Sequence, residues 1–364
     1  MTANERTANA IAERKPLRDC MTGSVTLSVI IPTYNAGALL ADCLQSIYRN
    51  PPSEPFEIIV VDDASSDGTS EMVRARFPEV RLLRNEVNRH YAYSNNRAFR
   101  HARGQFLYLL NNDTVVLPRA FDLMLGFLRE HPKAGAVGSK LLNEDGTIQW
   151  SVKSLPNPGS ALFGARSIIT RMAPNNRYSR KHLLHMARDL SQPFIAGYVS
   201  SASLMIPRKI LDEIGELDRR LSYHVDADYC KRIADAGYEC YYLPSAAVVH
   251  LDHKGGTMVS LRRRFRSLLE FHVGSYIFYR KHIQRSPWSP MRAVVAAGLF
   301  ARFLLSLAAQ ALAEVRTGAR ALVARMSRGR GRAPTRRMRD DAAWRQAPPS
   351  APAKNAAGNG RADR

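Results

Sequence analysis

The sequence predicts an α/β fold, a mainly parallel sheet with helices on both faces, followed by a helical extension. Three observations carry this. From Leu27 to about residue 142, short β-branched runs alternate with stretches of helical apolar spacing. The strand runs are apolar without alternation, as in strands covered on both sides. The 364 residues, 45% hydrophobic and 23% charged, allow one large domain or two ordinary ones. The same figures exclude collagen-like, wholly disordered and disulfide-scaffold chains.

The elements follow in order. Leu27-Ser28-Val29-Ile30-Ile31 reads as a buried strand closed by Pro32. Leu39, Leu40, Cys43, Leu44, Ile47 and Tyr48 have helical spacing over Gly37 to Arg49. Phe56 to Val61 is a second strand, running into Asp62-Asp63-Ala64-Ser65-Ser66-Asp67-Gly68. A helix with Met72, Val73 and Phe77 precedes a strand at Val80–Leu83, and Tyr91 to Arg103 is again helical. Phe106 to Leu110 is the most apolar strand and ends in Asn111-Asn112-Asp113. Pro118 suits the first turn of a helix continued by Phe121, Met124, Leu125 and Leu128. A strand begins at Ala136, and Asn143 to Gly146 reads as a hairpin turn. Residues 151–193 are irregular and basic, a loop or lid, before ordered signals return from Phe194 to about Gly256.

Charge divides the chain. Of the net +21, +17 lies from Arg262 onward, where 22 Lys and Arg face 5 Asp and Glu. A near-neutral globular part thus carries a cationic appendage suited to an anionic surface, membrane or nucleic acid. Residues 1–24 are polar and read as a flexible segment with no signal peptide. Cys20, Cys43, Cys230 and Cys240 lack CxxC spacing, which suggests free thiols in a reducing compartment.

In an open α/β sheet, ligands bind beyond the carboxyl ends of the strands. Two buried strands here end in acids, at Asp62-Asp63 and at Asn111-Asn112-Asp113. Singly, each acid also fits helix capping or a turn. Together they suit a shared site. A hard divalent cation binds oxygen and bridges substrate phosphates with one or two carboxylates, a task that fits Asp113. Asp62 could accept from a ribose or a base, so the pair would hold a nucleotide diphosphate.

Ser28-Val29-Ile30-Ile31-Pro32-Thr33-Tyr34-Asn35, Val60-Val61-Asp62-Asp63-Ala64-Ser65-Ser66-Asp67-Gly68-Thr69 and Leu110-Asn111-Asn112-Asp113 together resemble glycosyltransferase family 2 over about residues 25–256. The Leu-Asn-Asn-Asp form is similar to its rhamnosyltransferase-like branch. The resemblance implies a GT-A fold with a Rossmann-like sheet, a nucleotide-sugar donor, a divalent cation (Mg2+ or Mn2+) and inversion at the anomeric carbon. It puts Pro32, Thr33, Tyr34, Asn35, Asp62, Asn88, Asn96 and Asn112 on the donor, and Asp113 and His250 on the metal. Asn111 replaces an acid of the plain Asp-x-Asp form, and Arg89 replaces a usual Gly. The resemblance also places Gly197 on the acceptor side.

An inverting transfer needs a base for the acceptor hydroxyl. Relatives often read Glu-Asp-x-Asp where this chain has Val225-Asp226-Ala227-Asp228. That match assigns Asp226 as the base and leaves Asp228 on the acceptor side, orienting a loop or capping a helix. Both acids also suit a helix N-terminus. His250 ends a strand at Ala246–Val249, where a neutral imidazole can bind metal or simply serve the structure.

Ala293 to Ala313 is long enough to cross a membrane. However, eight of its 21 residues are Ala, and Arg302, Ser306, Gln310 and Glu314 form a polar stripe beside Phe300, Phe303, Leu304, Leu307 and Ala311. With basic flanks this favours a helix lying on an anionic membrane surface over one that spans it or sits buried. The division is therefore a flexible 1–24, a GT-A domain over 25–260, a helical membrane-associating region over 261–326, and a disordered basic tail over 327–364. The expected protein works at the inner face of the cell membrane, on a glycan or lipid-linked glycan acceptor. Metal-dependent nucleotidyl transfer is the alternative enzyme, but Pro32-Thr33-Tyr34-Asn35 replaces its phosphate loop. Nucleic acid is not an expected partner, because Trp344 is the one aromatic after Phe303.

Overall fold

The computed structural model describes residues 24–157, 188–251 and 261–328, with 172, 173, 176, 177 and 184 between them; side chains at 261–263 and 312–328 are excluded. The expectations for 1–23, most of the 151–193 loop, the turn at 252–256 and the tail from 329 lie outside the described residues.

Along the chain the elements are β1 (Leu27–Thr33), α1 (Gly37–Arg49), β2 (Phe56–Asp62), α2 (Thr69–Arg76), β3 (Arg81–Arg84), α3 (His90–Phe99) and β4 (Phe106–Leu110). Next come β5 (Thr114–Val116), α4 (Ala120–Glu130), β6 (Ala134–Leu142), β7 (Val152–Lys153), β8 (Phe194–Ala196), β9 (Tyr198–Val199) and β10 (Ser203–Pro207). The chain continues through α5 (Arg208–Ile214), α6 (Val225–Asp235), β11 (Glu239–His250), α7 (Leu261–His282) and α8 (Met291–Arg328).

One sheet organises the domain, in the order β3-β2-β1-β4-β10-β6-β11-β5, with β8 added on β11. The β3-β2-β1-β4 half is parallel, and β6 runs parallel to β11. β10 is antiparallel to both β4 and β6. The chain builds β2 and β3 to one side of β1, then returns to its other side for β4. That reversal opens a crevice beyond the carboxyl ends of β1 and β4.

Burial on both faces follows from the strand pattern. Val29, Ile31, Ile58 and Val60 pack under α1 and α4, while Ile30, Ile59 and Val61 pack under α3 and α6. Each such side chain contributes about 1.5–3 kcal/mol. The helical spacing of α1 puts Leu40, Cys43, Leu44 and Ile47 on its buried face. Cys43, Cys230 and Cys240 are free and buried.

Three details differ from the sequence reading. β1 does not stop at Pro32 but runs through it to Thr33. Pairing to β4 ends at Ile30–Leu109, so Pro32 sits where one side of the strand has no ladder bond to lose. β10 runs antiparallel inside the sheet, a direction that the sequence reading did not specify. β11 spans twelve residues rather than the expected four, and its pairing with β6 slips between Leu243 and Ala247, around Pro244.

Candidate active site

The loops at the carboxyl ends of β1 and β2 are locked to each other. Asp62 is fully buried; its Oδ1 accepts from the Ser65 N–H at 2.9 Å, and its Oδ2 accepts from the Ser70 hydroxyl. The Asn35 N–H donates to Ser65 Oγ at 2.9 Å, and Asn35 Oδ1 accepts from the Ser66 N–H at 2.7 Å. Asn35 and Ala64 hold φ of 48° and 65°, left-handed values that Asn tolerates and that cost Ala about 1 kcal/mol. Tyr34 stands 38% exposed at the mouth of the crevice.

Asp63 has a role the sequence reading missed. Its carboxylate accepts from the Arg89 and His90 N–H groups at 2.8 and 2.7 Å and from Asn85 Nδ2 at 2.6 Å. It thereby caps α3 from a neighbouring strand end and fixes the Asn88 segment against the crevice. The Asn88 side chain also accepts from the His90 N–H, at 3.2 Å.

Across the crevice, Asn112 Nδ2 donates to Thr33 Oγ1 at 2.9 Å, joining the ends of β1 and β4. Asp113 is buried, and its Oδ1 has no hydrogen-bond partner. That oxygen lies 3.3 Å from His250 Nε2. The proton position on His250 follows from Gln149. Gln149 Nε2 donates to the His250 carbonyl at 2.6 Å, so its Oε1 is the atom 3.0 Å from His250 Nδ1. An amide oxygen only accepts, so Nδ1 carries a hydrogen. Asn111 Nδ2 lies 3.2 Å from Nε2. A carboxylate oxygen and an imidazole nitrogen thus face each other 3.3 Å apart. Among the described residues no cluster of three or more His, Cys, Asp or Glu side chains could hold a metal. Among the described residues the oxygen and nitrogen donors that meet here are Asp113 and His250, a set that suits a hard cation taking its other ligands from substrate phosphate and water.

Asp226 lies in the first turn of α6, on the far side of the 200–202 turn. That turn links it to the strand ends. The Asn111 N–H donates to the Ala202 carbonyl at 3.1 Å, the Tyr91 hydroxyl donates to the Ser201 carbonyl at 3.0 Å, and the Ser201 backbone bonds Asp226. Burial raises the Asp226 pKa above the ordinary aspartate value, against the lowering charge of Lys153. The half-buried Tyr91 and the buried Tyr198 are its neighbours. A carboxylate in such surroundings is the stronger base. Gly197, between β8 and β9, lies so close to Ser154–Leu155 that a Cβ would stand 2.3 Å from the Leu155 nitrogen.

Two expected site residues serve elsewhere. Asn96, expected on the donor, is buried in α3 with its amide closed on Leu217: Nδ2 donates to the Leu217 carbonyl at 2.8 Å and Oδ1 accepts from the Leu217 N–H at 2.9 Å. Asp228, expected on the acceptor side, is fully buried and faces α7. Its Oδ1 takes His282 Nε2 and Lys281 Nζ, each at 2.7 Å, and its Oδ2 takes Arg232 Nε at 3.1 Å. Burial pushes its pKa up, but the bonds from His282 and Lys281 and the Arg232 charge outweigh that and hold it below the ordinary value. No sequence signal marks Gln149, Lys281 or His282, because each partner is more than 50 residues distant.

The model of "Glycosyl transferase family 2" matches residues 28–215, just over half of the chain. The chain is 26% identical over 290 residues to the N-acetylglucosaminyl-diphospho-decaprenol L-rhamnosyltransferase of Mycobacterium tuberculosis, covering 76% of this chain and 91% of that protein. It is 38% identical over 107 residues to the uncharacterized glycosyltransferase YfnE of Bacillus subtilis, covering 29% of this chain and 26% of that protein. Among solved structures, GalNAc-T7 with UDP, GalNAc and Mn2+ superposes with a TM-score of 0.50 at 16% identity, covering 80% of this chain and 58% of that one. This last likeness concerns the fold, which is GT-A. The span of the family match, laid over a crevice that has the strand-end acids at its rim, means that the chain belongs to glycosyl transferase family 2 and is a nucleotide-sugar-dependent glycosyltransferase.

Proposed function

We propose that the protein is an inverting, metal-dependent glycosyltransferase that moves a sugar from a nucleotide diphosphate to a hydroxyl of a lipid-linked glycan at the inner face of the membrane. L-Rhamnose is the candidate sugar, on the precedent of the mycobacterial relative, whose name gives a lipid-linked diphosphate acceptor. The observation that carries the reading is the buried Asp113 Oδ1, without a hydrogen-bond partner, facing His250 Nε2 at 3.3 Å.

Asp113 and His250 would hold Mg2+ or Mn2+, with Gln149 fixing the imidazole from behind. The cation would supply charge neutralisation for the departing diphosphate. Pro32, Thr33, Tyr34, Asn35, Asp62, Asn88 and Asn112 line the donor side. Asp226 takes the proton of the acceptor hydroxyl as its oxygen forms the new bond to the anomeric carbon. The bond from that carbon to the phosphate oxygen breaks, and the electron pair leaves with the nucleotide diphosphate. Attack from the face opposite the leaving group inverts the centre. Gly197 allows the Ser154–Leu155 backbone to close beside the acceptor.

The membrane assignment is supported by α8. Met291–Ala311 is long and apolar enough to cross a bilayer, with a mean hydropathy of 1.7 and 6% of that window buried. Of its polar stripe, Arg302 and Ser306 are half-buried and Gln310 is exposed. Phe303 is buried against α7, and Arg302 turns back over Phe271, while Val294, Phe300, Leu304 and Leu305 face outward. An apolar face turned out beside a basic surface suits a helix laid into a headgroup layer.

The test is Asp226→Asn. Transfer to a lipid-linked acceptor is expected to fall by at least ~100-fold, with nucleotide binding unchanged. In the wild type, transfer falls as pH drops through the raised Asp226 pKa, because the protonated carboxyl no longer accepts. Transfer near the wild-type rate in the variant would remove Asp226 as the base.

A further inference from the structure

Between α7 and α8, two polar groups have no hydrogen-bond or ion-pair partner among the described residues. Arg302 is half-buried, and its guanidinium lies 5.5 Å over the Phe271 ring. Among the described residues no carboxylate or hydrogen-bond acceptor meets it. His272 is 6% exposed; its Nδ1–H donates to the Leu268 carbonyl at 2.8 Å, and its Nε2 is buried with no partner. A guanidinium withdrawn from water without an anion is unfavourable, so natural structures pair such charges or present them to a ligand.

The Arg302 charge acts on both His272 and His224, and the Lys153 charge acts on His224 and Asp226. The His224 ring lies tilted against Phe271 at 4.9 Å and stands two residues before Asp226. Arg302, Phe271 and His224 therefore follow one another from the α7–α8 junction toward the candidate base. Burial, together with the charges of Lys153, Arg302 and His272, pushes the His224 pKa down to about 4, so His224 is neutral at pH 7 and bonds Ser275 Oγ at 2.9 Å. Arg302 is left as the fixed charge of the junction. Its outer rim is apolar, with Phe265, Leu269 and Val273 on α7 and Val294, Phe300 and Leu304 on α8 exposed.

From this juxtaposition we infer that Arg302 and His272 form a subsite for the phosphate of an amphiphilic acceptor, an isoprenoid-linked diphosphate whose chain lies on the exposed apolar face and whose sugar reaches Asp226. The inference rests on the proposed glycosyl transfer to a lipid-linked acceptor and adds where its phosphate is held. The Arg302 fork suits phosphate oxygens, and His272 Nε2 becomes a second donor once the anion draws a proton onto it.

The experiment measures equilibrium binding of the full chain to phosphatidylcholine vesicles doped with farnesyl diphosphate, farnesol or phosphatidylglycerol. Farnesyl diphosphate is expected to tighten binding about tenfold over farnesol, and Arg302→Ala to lose that increment. Arg302→Lys should retain part of it, and His272→Gln is a second probe should the first variant fail to fold. An equal Arg302-dependent increment with phosphatidylglycerol would assign the subsite to headgroups and overturn the acceptor reading. An increment that survives Arg302→Ala, or no increment in the wild type, would overturn the subsite. Asp226→Asn should bind farnesyl diphosphate as the wild type does, so failure of the transfer chemistry and failure of this subsite are read separately.

Discussion

Asp228→Asn removes one negative charge and almost no volume from the seam between α6 and α7. In the native protein that carboxylate, fully buried, meets the charged Arg232 and Lys281 and the imidazole of His282. Removing one side of a buried ion pair costs about 3–5 kcal/mol, chiefly because the other side is left uncompensated. Two of the three partners keep alternatives here. Arg232 still donates to the Ile214 and Glu216 carbonyls at 2.7 and 2.8 Å, and Lys281 still reaches Asp218 at 2.9 Å. The cost should therefore fall at the low end, about 3 kcal/mol. At roughly 2–4 °C per kcal/mol for a chain of this size, Tm drops by about 6–12 °C. The sign with pH is fixed by the lowered pKa of Asp228. Its contribution is complete above the unfolded-state value of about 3.9 and is lost as pH falls through the lower folded-state value. Urea unfolding of wild type and variant between pH 3 and pH 8 (a range set by those values) measures the gap. A gap below about 1 kcal/mol at neutral pH, or one that does not narrow in acid, would refute the ion cluster as the fastener of this seam.

Other outcomes follow from the same geometry. Asp113→Ala should abolish Mn2+ binding read by electron paramagnetic resonance, and Gln149→Ala should weaken it about 10-fold or more by freeing the His250 ring. Gly197→Ala should destabilise the fold by about 1–3 kcal/mol in thermal melts, because the new Cβ meets backbone rather than a movable side chain. Leu304→Glu with Leu305→Glu should release the protein from anionic liposomes in sedimentation assays while leaving Tm unchanged, since both positions are exposed.

The parallel half of the sheet was legible because each of its strands carries its own signal. Leu27–Ile31, Phe56–Val61 and Phe106–Leu110 are apolar runs bounded by turns, and burial on both faces is the reason they are apolar. β10 was not legible as an inserted antiparallel strand, because strand direction has no residue pattern of its own. The acids at the strand ends were visible for the same reason as the strands, since each follows directly in sequence. Their partners were not. Gln149 reaches His250 across 101 positions, and His282 reaches Asp228 across 54. Asn96 and Asp228 resembled site residues by motif alone, and their actual bonds depend on Leu217 and α7, which no local pattern brings near.

Helix α7 carries two tasks on two faces. Inward, it braces the start of α6: Ser275 bonds His224, Ser267 bonds the Tyr223 hydroxyl, and Gly274 lets the Tyr223 carbonyl approach to where a Cβ would stand 2.9 Å from it. Its last turn adds Lys281 and His282 on Asp228, two residues beyond Asp226. Outward, Phe265, Leu269 and Val273 join the exposed side of α8. A base at a helix N-terminus is only as well placed as that helix, and a shift of about 1 Å in such a group is enough to slow a reaction ~100-fold. The element that meets a lipid surface under the proposed function is therefore the one that sets the position of Asp226. An acceptor delivered along that surface would arrive at a base held in register with it, which gives a physical reason for a helix beyond the family-matched region to be built into the catalytic body rather than tethered to it.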